Sequence, residues 1–92
     1  MDVYSQIATN IVKSQETIIG PVALEQAKAV PGIKVGSDKS VSVVGDNGAF
    51  VIDELVEKYK ELFGQISVEV CKEAAGSLID KLPEDKHPKS LE

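Results

Sequence analysis

At 92 residues, 42% of them apolar, the chain has the length and composition of one small globular domain. Fifteen acidic residues face ten basic ones for a net charge of −5, and every basic residue is Lys; an acidic surface without Arg argues against nucleic-acid binding, which concentrates positive charge. One cysteine, Cys71, excludes an intrachain disulfide and any metal site built on paired cysteines.

The first apolar stripe is Val3, Tyr4, Ile7, Ala8, Ile11, Val12, Ile18 and Ile19, with Asp2 ahead of it as a cap. Spacings of three and four predict a helix. Gly20-Pro21 interrupts it, and proline either kinks a helix or opens a new one at its first turn. Val22, Ala23, Ala27 and Val30 carry the stripe on to Pro31-Gly32, so a bent, nearly continuous helix is expected. Ile33 and Val35, then Val41 and Val43, alternate with polar residues around Gly36-Ser37-Asp38-Lys39, which predicts a β-hairpin over 33–44. An isolated hairpin is marginal in water, so it must lie on the helices or pair with a second copy.

Asp46 or Asn47 is expected to cap a second bent helix whose stripe is Ile52, Leu55, Val56, Tyr59, Leu62 and Phe63. Beyond Gly64 it continues through Ile66, Val70 and Ala74 towards Leu82, where Pro83 ends it. The stretch 83–92 is charged and punctuated by proline, and a disordered tail is expected there. Leu91-Glu92 reads as a cloning remnant.

The two helical stretches match at an offset of 44 positions, 7–32 over 51–76. Val12/Val56, Gly20/Gly64, Glu25/Glu69, Lys28/Lys72 and Gly32/Gly76 are identical pairs. Helical periodicity alone brings apolar residues into register. Coincident glycines are less easily explained, because glycine costs a helix interior about 1 kcal/mol relative to alanine. The expected fold is predominantly α: two helix–Gly–helix pseudo-repeats joined by a hairpin, in a single domain spanning 1–82. Gly20, Pro21 and Gly64 are its candidate hinges or close helix contacts.

Reactive constellations are weak. His87, the one histidine, stands in the tail between Lys86 and Pro88. Asp53, Glu54, Glu57 and Glu61 are interleaved with Lys58 and Lys60, the pattern of a solvated helix face rather than a cation site. Gly45-Asp46-Asn47-Gly48 has neither the lysine of a P-loop nor a dinucleotide fingerprint. Glu25–Lys28 and Glu69–Lys72 have the spacing of helix ion pairs.

A protein-interaction or regulatory module acting as a homo-oligomer, in the first place a homodimer and with an unidentified protein partner as a further option, is the functional expectation, without catalytic residues, metal or cofactor. The alternative is a small-ligand binder with a pocket between the repeats near Tyr59 and Cys71. No apolar run approaches the ~18 residues of a membrane span and the N-terminus lacks a signal-peptide pattern, so a cytoplasmic location without membrane contact is expected.

Overall fold

The computed structural model describes residues 2–38 and 40–92; Lys39, in the expected hairpin turn, lies outside the described residues. Four helices and one antiparallel hairpin make a predominantly α fold: α1 Val3–Ile19, α2 Val22–Lys28, β1 Ile33–Val35, β2 Val41–Val43, α3 Gly48–Phe63 and α4 Gln65–Ala75. Short 3₁₀ turns follow at Gly76–Lys81, Glu84–Lys86 and Lys89–Leu91.

Each helical stretch breaks at its glycine instead of bending. Gly20 adopts φ 75°, ψ −155° and Gly64 adopts φ 80°, ψ −169°. That region is essentially closed to residues with a Cβ, and a helix cannot pass through it. The two corners share their hydrogen bonds as well. Gly20 N–H donates to Glu16 C=O (2.9 Å) and Gly64 N–H to Lys60 C=O (2.8 Å), while Ala23 N–H and Ser67 N–H return to the glycine carbonyls at 3.0 and 3.1 Å. Pro21 opens α2. The second half differs downstream, since α2 stops at Lys28 whereas α4 runs to Ala75. Pro31 disfavours helical backbone at Val30, and Ala75, its counterpart 44 residues on, does not. Gly76, at φ 49°, then ends α4 short of the Leu82 anticipated from the stripe.

Hydrogen bonds cross between the halves at equivalent positions. Tyr59 Oη on α3 donates to the Ala23 carbonyl of α2 at 2.7 Å. Gln15 Nε2 on α1 donates to the Ser67 carbonyl of α4 at 3.1 Å. Residues 15 and 59 are 44 apart, as are 23 and 67. Ile7, Ile11, Ile52, Leu55 and Val56 fill the space among the helices, all buried.

The hairpin pairs Ile33 with Val43 and Val35 with Val41. Those are the pairs whose backbone groups point out of the ladder, as the flanking Gly36→Ser40 and Val44→Gly32 bonds require. Helix α1 covers the outer edge of β2: Val43 N–H donates to Ser5 Oγ (2.8 Å) and Thr9 Oγ1 donates to Val41 C=O (3.0 Å). Ser5 Oγ in turn donates to Asp2 Oδ2, whose other oxygen caps the helix by accepting from Ser5 N–H (2.9 Å). The cap thus reaches through Ser5 to the sheet. Asn47 occupies the N-cap of α3 without a side-chain bond.

The stretch 83–92 differs from the disordered tail expected above. Pro88 and Leu91 are buried, and Ser90 donates to Asp53 Oδ1 through its amide (3.0 Å) and its hydroxyl (2.6 Å). Tyr4 Oη donates to Lys86 C=O at 2.7 Å. The Tyr4 ring also lies where a Cβ of Gly48 would stand, so a glycine there lets α1 and α3 approach. Leu91, read from sequence as a remnant, is part of the core. Two apolar side chains and three hydrogen bonds hold a segment whose charged composition hides them.

Candidate interaction surface

Of the residues singled out for a ligand pocket, Tyr59 and Cys71 are both 0% exposed, and neither lines the two concavities described below. Burial pushes the Tyr59 phenol up from its usual range, and its proton is engaged by the Ala23 carbonyl. Burial likewise pushes the Cys71 thiol up to about 11, against a smaller opposing effect of Gln15, whose amide lies 3.5 Å from Sγ. A thiol held protonated and away from solvent is a poor nucleophile. His87 is half-buried, its Nε2 donating to the Leu82 carbonyl at 3.0 Å. Asp53 clamps the tail; Glu57 and Glu61 are exposed. Among the described residues no group of three or more His, Cys, Asp or Glu is arranged to hold a metal ion, and no helix is long and apolar enough to cross a membrane.

Two concavities stand out among the described residues. One, of about 370 Å³, lies between α1, α2 and the hairpin, lined by Thr9, Val12, Lys13, Glu16, Leu24, Asp38, Ser40 and Val41. Several of its polar groups are already engaged. Thr9 Oγ1 bonds the Ser5 and Val41 carbonyls, and the Asp38 carboxyl is held below its usual range by the Ser40 hydroxyl and, less, by the Ser40 N–H that it accepts from. The other, of about 260 Å³, is a groove lined by Gln15, Ile18, Ile19, Phe63, Ile66, Ser67 and Val70. Its walls come from both glycine corners.

The corners carry most of the protein's exposed large apolar side chains. Ile18 is 62% exposed and Ile66 71%, and Val22, Leu62 and Phe63 are exposed with them. Ile18 and Leu62 are 44 residues apart, as are Ile19 and Phe63, and Val22 and Ile66. All of these belong to the apolar stripes read from the sequence. Ile18 and Leu62 keep the phase of buried Ile11 and Leu55 seven residues before them, yet each stands in the last turn before a glycine where nothing covers it, and periodicity does not register where the cover ends. Gly20, Pro21 and Gly64 therefore matter to the surface by ending helices and presenting apolar residues. Glu25–Lys28 (3.9 Å) and Glu69–Lys72 (3.5 Å) form exposed ion pairs just beyond the corners, of the kind that adds a few tenths of a kcal/mol to a helix at about three-residue spacing. Comparison with known proteins finds no matching family model, no matching curated protein and no matching solved structure.

Proposed function

We propose that this chain is a small protein-interaction module that works as a homodimer. The observation that supports it is the apolar surface at the two corners. The exposed fractions of Ile18, Val22, Leu62, Phe63 and Ile66 leave open roughly 500 Å² of side-chain surface, the size at which an apolar patch on a monomer is commonly functional. A chain of this length has a modest core, and covering such a patch stabilises it at about 25 cal/mol per Å² before the costs of association. Sedimentation velocity over a wide concentration range at moderate salt tests the reading. A mass of two chains that dissociates on dilution is expected, and a mass of one chain throughout would overturn it.

A second reading, a small-ligand binder, draws on the cavity beside Thr9, Lys13 and Glu16 rather than on Tyr59 and Cys71. A thermal-shift screen with polar fragments tests it. Stabilisation abolished by Lys13→Ala and Glu16→Ala together would favour it over the interaction module.

A further inference from the structure

We infer that the face formed by the two glycine corners docks on a second copy of this chain, with the α1–α2 corner of each copy on the α3–α4 corner of the other. The inference rests on the homodimer reading above and adds which surfaces meet.

Area supports a second copy as the occupant. A standard interface covers about 800 Å² per partner, of which about 60% is apolar, or roughly 500 Å². The two corners together supply that much and one corner only about half. The groove between Ile18, Ile19, Phe63 and Ile66 makes them one continuous face. An interface that uses both corners of each copy is satisfied by a closed two-fold dimer, which leaves no corner open for further addition.

Charge selects the pairing. Two charged positions on the helices that lead into the corners exchange sign between the halves: Lys13 on α1 stands where α3 has Glu57, and Glu16 where α3 has Lys60, whereas Glu25/Glu69 and Lys28/Lys72 beyond the corners keep theirs and so favour no one pairing. Lys13, Glu57 and Lys60 are exposed and Glu16 is partly so. Where equivalent positions meet, an α1 corner on an α3 corner sets Lys13 against the partner's Glu57 and Glu16 against the partner's Lys60. Pairing α1 with α1, or α3 with α3, sets like charges together at the same places. Rim charges of this sort choose among arrangements more than they add affinity.

The test compares variants by sedimentation across a concentration series, with circular dichroism checking that each retains its helices. Ile66→Asp replaces a side chain that is 71% exposed, so the fold is retained and dimerisation should weaken by about tenfold or more. Phe50→Asp is the control: Phe50 is 55% exposed but lies at the far end of α3, about 20 Å from Phe63 at 1.5 Å per residue, and should leave the dimer intact. Lys13→Glu and Glu57→Lys should each weaken dimerisation about threefold, and the double variant should restore it. A monomeric wild type would overturn the homodimer reading itself. A dimer indifferent to Ile66→Asp would overturn only the face, and a double variant weaker than either single one would overturn the corner-on-corner pairing.

Discussion

Replacing Gly64 by alanine separates two accounts of the corner. In a bent but continuous helix the substitution would stabilise, because alanine is the better helix former by about 1 kcal/mol. Gly64 instead sits at φ 80°, ψ −169°, and a Cβ built there meets no atom within 4 Å. Crowding therefore contributes nothing and the backbone conformation contributes everything. Holding a residue with a Cβ in that region costs about 1–3 kcal/mol, offset in part by the 0.4–1 kcal/mol that alanine gains by restricting the unfolded chain. The expected net loss is about 1–2 kcal/mol, which for a domain of this size lowers the melting temperature by roughly 5–15 °C. Gly20→Ala should behave alike, at φ 75° and again with nothing within 4 Å. Asparagine is a useful comparison, because it eases left-handed helical backbone at ψ near +47° but has no advantage at extended ψ. Gly64→Asn should be as damaging as Gly64→Ala. Thermal unfolding by circular dichroism reads all three, and an unchanged or raised melting temperature for Gly64→Ala would refute the broken corner.

Ser5→Ala should cost about 1–3 kcal/mol in urea unfolding, because Ser5 accepts from Val43 N–H on the sheet edge; a neutral result would mean that water replaces it there. Asp53→Ala should release the last turn, so that the Ser90 amide, now donating to Asp53 Oδ1, exchanges with deuterium at the rate of free chain; fast exchange in the unmodified protein would return the segment to disorder. The thiol of Cys71 moves from 9.0 to about 11 on folding. Its contribution is thus fully present below pH 9.0 and is lost as pH rises towards 11. That loss amounts to about 2–3 kcal/mol at the top of the window, at 1.36 kcal/mol per unit. The Tyr59 phenol is shifted in the same direction from 10.0 and adds to the loss further up. Urea midpoints should hold up to pH 9.0 and fall beyond it, and Cys71→Ala should flatten the first part of that fall.

The helices and the hairpin were legible because each rests on periodicity confined to a few consecutive residues. Ile7, Ile11, Ile52, Leu55 and Val56 recur at helical spacing and are core, and Ile33/Val43 alternate and pair. What was not legible depends on partners far along the chain. Composition marks 83–92 as solvated, yet Ser90 meets Asp53 and Tyr4 meets Lys86. Nothing local to Tyr59 or Cys71 says whether it faces a cavity or a packed interior, and both are packed.

The crossed hydrogen bonds fall at positions 44 residues apart although the residue types there differ. At one position Gln15 reaches across to the Ser67 carbonyl, and 44 residues later Tyr59 reaches back to the Ala23 carbonyl. An amide and a phenol share no composition, but each is a long side chain that ends in a donor, and each meets the same place on the helix opposite. Two side chains of unequal volume then require unequal neighbours. Small Ala23 and Ala27 lie in the half that receives the Tyr59 ring, and Ser67 and Cys71, with their extra side-chain atoms, lie opposite the slimmer Gln15. Such volume-conserving exchange across a packed contact is tolerated where a one-sided change is not. Gly20 and Gly64 allow no such exchange without cost, since φ of 75° and 80° with extended ψ disfavours any residue that has a Cβ. Those same glycines end α1 and α3 beside exposed Ile18, Val22, Leu62 and Ile66, so the backbone turn found at both corners lies next to apolar surface in both halves.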